Sequence, residues 1–219
     1  YCSKAPGKRI VTDIDIHLQR QVEEVTSRWR NDLSSRGIND LAAVVVEVAT
    51  GKAVAYVGNA DPKTRRSGSD VDIARSPRST GSILKPVLFC SLLQDGDILP
   101  GTLLPDIPVN INGFSPQNFN RQFYGAVPAS EALSRSLNVP AVHMLRKYGV
   151  PKFLDILRKC GMTTLGRSAS DYGLSLILGG AEGSLIDITR VYAAMSAEYQ
   201  KDGQGEKDDW FYGFPLEDK

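Results

Sequence analysis

At 219 residues and 42% hydrophobic content, the chain is long enough to bury a sizeable core as one domain or two closely packed lobes. Its 26 Lys and Arg against 25 Asp and Glu leave a net charge of +1, which gives no electrostatic basis for a nucleic-acid partner. No run of about 18 apolar residues occurs and the first residues lack the order of a signal peptide; if the parent protein is exported or anchored, those signals lie outside this chain.

Residues 8 to 12 read as a short edge strand, and Asp13 or Asp15 as the cap of a helix. Leu18, Val22, Val25, Trp29 and Leu33 recur at helical spacing, which predicts an amphipathic packing helix ending near Gly37. Leu41 to Val48 is apolar and β-branched, and a turn at Ala49-Thr50-Gly51-Lys52 leads into Ala53 to Val57, a hairpin pattern. From Asn59 to Arg78 the chain turns polar and basic, as a solvated loop does.

Ser79 to Pro86 delivers the first chemistry. Ser82 and Lys85 are three apart at the start of an apolar helix that continues through Val87, Leu88, Phe89, Leu92 and Leu93. One turn puts the hydroxyl and the amine on one face. A helix apolar nearly all round is normally buried, and burial lowers a lysine pKa towards the point where a neutral amine can take the proton of a serine. The spacing alone decides little, because 19 serines and 11 lysines give about one S-x-x-K by chance. Taken alone, the spacing favours a capping serine and a surface lysine. Pro86 favours the chemical reading: it cannot donate to the Ser82 carbonyl and disfavours helical geometry at Lys85, a local rule broken where chemistry is proposed.

Asp95-Gly96-Asp97 closes that helix, and residues 100 to 128 form a long Pro-, Gly- and Asn-rich loop, expected to wrap a site. Ser130 and Glu131 open a helix to Arg135, followed by Ser136-Leu137-Asn138. Pro140 suits a first helical turn, so Asn138 by itself also reads as a cap. Helices are predicted from Pro140 to Tyr148 and from Pro151 to Cys160, terminated by Gly149 and Gly161. After a glycine-rich span from Gly173 to Gly183, the Ser184 and Asp187 spacing of a capping box starts a helix carrying Ile188, Val191, Tyr192 and Met195. The tail from Lys201 is charged and turn-rich.

Cys2, Cys90 and Cys160 form no C-x-x-C, and Cys90 and Cys160 read as small apolar core groups. His17 and His143 both lie in helix-like stretches, a poor basis for a metal site or a histidine triad. No cofactor or metal is expected.

Read together, three runs resemble the transpeptidase domain of penicillin-binding proteins, in particular bifunctional enzymes of the 1C type. RSTGSILKP is similar to the S-x-x-K nucleophile motif with its trailing proline. FSPQNFNRQFYGAVPASEALSRSLNVPAV resembles the approach to the S-x-N motif, and LILGGAEGSLIDITRVYAAM the helix before the third motif. With TDIDIHLQRQVEEV and the hairpin, the likeness runs from about Thr12 to Tyr199. It implies an α/β fold of the α+β type, penicillin-binding and serine β-lactamase-like, with a helix-rich lobe and part of an antiparallel sheet. Residues 1–219 would be a partial transpeptidase domain, with a helix and hairpin at 12–58, a mainly helical lobe at 79–200 and a polar tail at 201–219.

The resemblance also implies roles. Ser82 becomes the acylated nucleophile, with its backbone N–H as one oxyanion donor, and Lys85 the base. Ser136 would relay a proton to departing D-alanine, and Asn138 would hydrogen-bond Lys85 and the donor peptide amide. The implied activity is peptidoglycan D,D-transpeptidation, with D-Ala-D-Ala stem peptides as donor, an amine acceptor, β-lactams as inhibitors, and a periplasmic location in a membrane-anchored parent. Two alternatives keep the same serine: a D,D-carboxypeptidase or serine β-lactamase, and a non-catalytic β-lactam sensor or scaffold. The third motif, Lys-Thr-Gly or Lys-Ser-Gly, occurs nowhere in the 219 residues. Lys201-Asp202-Gly203 reads instead as a helix end. The strand bearing that motif and the remaining sheet are therefore expected beyond Lys219, leaving this chain a fragment with weak or no activity of its own.

Overall fold

A computed structural model describes residues 11–60 and 68–200. The elements in chain order are α1 (Ile16–Ser34), β1 (Ala43–Val46), β2 (Ala53–Val57), β3 (Arg78–Ser79), α2 (Lys85–Gln94), β4 (Leu103–Asp106), β5 (Gly125–Pro128), α3 (Ala129–Ser134), α4 (Asn138–Tyr148), α5 (Val150–Lys159), α6 (Ala169–Tyr172), a 3-10 helix (Gly173–Leu178), β6 (Glu182–Gly183) and α7 (Leu185–Gln200). They fall into two compact units, one of the described residues up to Ser76 with those from Ser184 onward, the other Pro77–Gly183.

In the first unit, Asp15 caps α1, its carboxylate accepting from the N–H groups of His17 and Leu18 at 2.8 and 3.1 Å, as anticipated. The hairpin forms as expected, with Ala43 opposite Val57 and Val45 opposite Ala55, and an irregularity between Val45 and Val46. What the sequence did not signal is how α1 docks. The Gln19 side chain pairs with Tyr56 like another strand residue, donating to its carbonyl at 3.0 Å and accepting from its N–H at 2.7 Å. An exposed strand edge is thereby satisfied. Leu18, Val22 and Leu33 are half-buried, while Val25 and Trp29, expected to pack with them, stay exposed. Helical periodicity identifies a stripe but not how much of it finds a partner. Helix α7 packs on β1, its start fixed by the Ser184 hydroxyl accepting from the Asp187 N–H at 3.1 Å. The strand expected at 8–12 lies largely outside the described residues, and residues 11 and 12 carry none.

The second unit is built around α4, which packs on α2, α3, α5, β4 and the 3-10 helix. Val139, Val142 and Leu145 from α4 meet a core that includes Leu88, Leu92, Phe153, Leu157 and Ile177, all fully buried. Truncating one such leucine to alanine would cost about 2–5 kcal/mol. Cys160 is buried here and Cys90 half-buried, and burial pushes both thiols up, Cys160 to about 12. They behave as apolar filling.

Two small sheets were not anticipated. Strands β4 and β5 pair antiparallel, Leu103 opposite Pro128 and Asp106 opposite Gly125, inside the stretch read as one long loop. Pro105 and Asp106 hide the strand pattern, since neither is a good strand residue. Strands β3 and β6 are two residues each, too short to show a period.

Candidate active site

The nucleophile candidate sits where β3 hands over to α2. The Thr80 N–H donates to the Ala181 carbonyl at 3.1 Å, and the Ser79 hydroxyl to the Gly179 carbonyl at 2.8 Å. Gly179 has φ of 100°, and a Cβ there would lie 2.6 Å from Ser79 Oγ and 3.0 Å from Gly81 N and Cα. Only glycine allows this approach. Ser82 comes directly after Gly81 and is exposed.

Helix α2 starts at Lys85 rather than at Ser82. Pro86 lies in its first turn and lacks the N–H that would bond the Ser82 carbonyl, which instead accepts from the Lys85 N–H at 3.1 Å. Ser82 therefore occupies a turn before the helix. Among the described residues its N–H has no hydrogen-bond partner, like the unsatisfied donors that precede a helix.

Lys85 is 2% exposed. Its amine donates to the Ser136 carbonyl at 2.8 Å, to Ser136 Oγ at 3.2 Å and to Asn138 Oδ1 at 2.7 Å. Among the described residues no hydrogen bond joins it to the Ser82 hydroxyl. All three partners are neutral, and burial pushes the Lys85 pKa down to about 8. A neutral amine keeps two protons for the Ser136 carbonyl and Asn138 Oδ1. Its lone pair then faces Ser136 Oγ, the one partner that can donate.

Ser136 is presented by the end of α3. Its N–H bonds the Leu133 carbonyl at 2.8 Å and the Leu137 N–H bonds the Ala132 carbonyl at 2.9 Å, the paired bonds of a Schellman ending. That ending requires a left-handed residue, normally glycine, and Ser136 fills it at φ of 52°. A side chain there costs roughly 1–2 kcal/mol. The hydroxyl is thus held in glycine's place, against Lys85.

Asn138 does not cap α4. The cap position is Leu137, and the helix's first N–H groups are taken from outside, Asn138 N and Val139 N donating to Asn118 Oδ1 at 2.8 and 3.3 Å. The Asn138 side chain is freed to accept from Lys85 and to donate to the Gln117 carbonyl at 2.8 Å. Asn118 carried no distinguishing signal in the sequence, being one of several asparagines in a polar loop. Among the described residues no cluster of three or more His, Cys, Asp or Glu could hold a metal.

The family model "Penicillin binding protein transpeptidase domain" matches residues 41–180, which span all four of these side chains. The chain belongs to the penicillin-binding protein transpeptidase family. It is 37% identical to penicillin-binding protein 1C of Escherichia coli (strain K12), over 88% of this chain and 25% of that protein. It is 31% identical to penicillin-binding protein 1B of Vibrio cholerae, over 71% of this chain and 21% of that protein. The chain thus spans about a quarter of the length of these curated relatives. Among solved structures it is similar to the penicillin-binding protein PonA1 from Mycobacterium tuberculosis, with a TM-score of 0.69 and 22% identity, covering 86% of this chain and 50% of that one. The same protein in complex with penicillin V gives a TM-score of 0.67 at 21% identity over 86% and 51%. These likenesses show the fold: the helix-rich α/β architecture of penicillin-binding transpeptidase domains, with its small antiparallel sheets. Lys201-Asp202-Gly203 lies outside the described residues. Among the described residues no helix is long and apolar enough to cross a membrane.

Proposed function

We propose that the chain is part of the D,D-transpeptidase domain of a membrane-anchored, periplasmic peptidoglycan enzyme, with Ser82 as nucleophile and Lys85 as its base. The observation that carries this reading is the burial of Lys85 with its amine held on Ser136 and Asn138. A lysine so placed is half neutral near pH 8 and has its lone pair inside the cluster, as proton transfer from a hydroxyl requires. Ser82 lies one turn before Lys85 and is exposed.

In the acylation step Ser82 Oγ bonds to the carbonyl carbon of the penultimate D-alanine while its proton passes to Lys85. The free Ser82 N–H is available to the developing oxyanion. The C–N bond to the terminal D-alanine then breaks, and the departing amine takes a proton from Lys85 through Ser136, whose hydroxyl is in contact with the Lys85 amine. Asn138 holds Lys85 and the donor amide. An amine of a second stem peptide attacks the ester, forms the cross-link and returns the proton to Ser82. A β-lactam reacts by the first step alone: its ring C–N bond opens, the ring nitrogen takes the proton and nothing leaves. The PonA1 complex with penicillin V supports assigning β-lactams to the same fold here.

The test is labelling of the whole protein with a fluorescent penicillin. Ser82→Ala should abolish labelling, and Lys85→Ala should slow it by about 10²–10⁴-fold, the usual contribution of a general base. Labelling that survives Ser82→Ala would overturn the assignment.

A further inference from the structure

We propose that Asp106 and Asn118 are positioning residues that hold the Lys85, Ser136 and Asn138 cluster in register from the N-terminal end of α4. The proposal rests on reading that cluster as catalytic. Asp106, at the end of β4, is fully buried, and Asn118 is 3% exposed. The Asp106 carboxylate accepts from Asn118 Nδ2 at 2.8 and 3.0 Å and from the Tyr124 N–H at 3.0 Å. A carboxylate is the acidic side chain that offers two acceptor oxygens to these two donors, and burying one is costly unless each contact has a use.

Asn118 uses both sides of its amide. Its Nδ2 donates to Asp106 and, at 2.8 Å, to the Gln122 carbonyl. Its Oδ1 accepts from the N–H groups of Asn138 and Val139. Turning the amide over would set NH₂ against two N–H donors and the oxygen against a carboxylate, so Asp106 fixes which way Asn118 faces. Asn118 in turn fixes the first turn of α4. The adjoining Gln117 carbonyl takes the Asn138 side-chain NH₂, leaving Asn138 Oδ1 only the direction of Lys85. The connection therefore runs from β4 through Asn118 and Asn138 to the amine. A displacement of about 1 Å in such a group can cost about 10²-fold in rate.

The test compares Asn118→Ala, Asn118→Asp, Asp106→Asn and the exchange Asp106→Asn with Asn118→Asp in the whole protein. Three quantities are read: the second-order rate of acylation by a fluorescent penicillin, the titration midpoint of Lys85 Nζ by NMR after ¹⁵N-lysine labelling, and the folded fraction from thermal melting. Asn118→Ala, corrected for folded fraction, is expected to acylate about 10- to 100-fold more slowly. Its Lys85 should titrate at lower pH, because Asn138 Oδ1 no longer holds the ammonium. Asn118→Asp, which sets two carboxylates together, should acylate more slowly as well, and the exchange should recover part of that rate by restoring one donor facing one acceptor, only the Gln122 carbonyl losing its donor. Should Asn118→Ala not fold, Asp106→Asn against the exchange decides the question. Wild-type rate and midpoint in a folded Asn118→Ala, or an exchange no better than its single variants, overturns the proposal. Ser82→Ala serves as the control for the underlying reading: if it still labels, that reading falls, while the Lys85 midpoint still decides whether Asn118 positions the amine.

Discussion

Among the described residues the amine of Lys85 hydrogen-bonds only neutral groups, and this sets its behaviour with pH. Its pKa falls from 10.5 to about 8. The neutral, base-competent fraction therefore rises about tenfold per pH unit below 8 and levels off above it. Acylation by penicillin should follow that curve, and a rate flat from about pH 6 to pH 9 would show that another group is the base. Stability moves the same way. Between about 8 and 10.5 the unfolded chain still binds the proton that the folded chain has released, so stability rises with pH across that window; below 8 both states are protonated and the burial cost is present in full. Relative to Lys85→Met, the wild type should gain on the order of 2 kcal/mol between about pH 8 and 10, measured by denaturant unfolding. Ser136 allows a second comparison at this scale. At its φ of 52°, Ser136→Gly should be more stable than Ser136→Ala by about 1 kcal/mol, the reverse of the order in a helix interior, although both lose the hydroxyl and slow acylation. Equal melting temperatures would mean that no strain is held there.

Among the elements, the β3 to α2 junction owes its shape to Gly179 and Pro86. Gly179→Ala would drive a methyl to within 3.0 Å of the Gly81 backbone, and Gly81 adjoins Ser82. About 2 kcal/mol of lost stability and at least a tenfold slower acylation are expected, checked by melting and penicillin labelling; unchanged values would show that the junction yields freely. How far such elements can be read from sequence varies with their length. Helices α1, α4 and α5 and the β1–β2 hairpin are legible because several turns or alternations repeat. The β3–β6 pair has no period to read, and β4 is disguised by Pro105 and Asp106. The start of α2 moved from Ser82 to Lys85 for a reason visible in the sequence, the missing N–H of Pro86, whose consequence for the Ser82 carbonyl appears only once its new partner is seen.

Across the whole molecule, the four residues proposed for catalysis, Ser82, Lys85, Ser136 and Asn138, stand out because they lie in runs that resemble a family, and the family match spans them. The groups proposed to position them do not stand out. Asn118 at the start of α4 and Asp106 behind Asn118, like Gln19 against Tyr56 in the first unit, are single polar residues whose partners lie 20, 12 and 37 positions away, and no local pattern marks such pairs. Both units also show why composition alone was silent about function: a net charge of +1 and an ordinary core leave the reacting groups as the informative part of the chain. The most direct measurement is mass spectrometry of the whole protein after incubation with penicillin and proteolysis. The peptide carrying Ser82 should gain the mass of one intact penicillin, and the gain should be absent in Ser82→Ala. An adduct on another residue, or one that persists in Ser82→Ala, would contradict the assignment of Ser82 as the nucleophile.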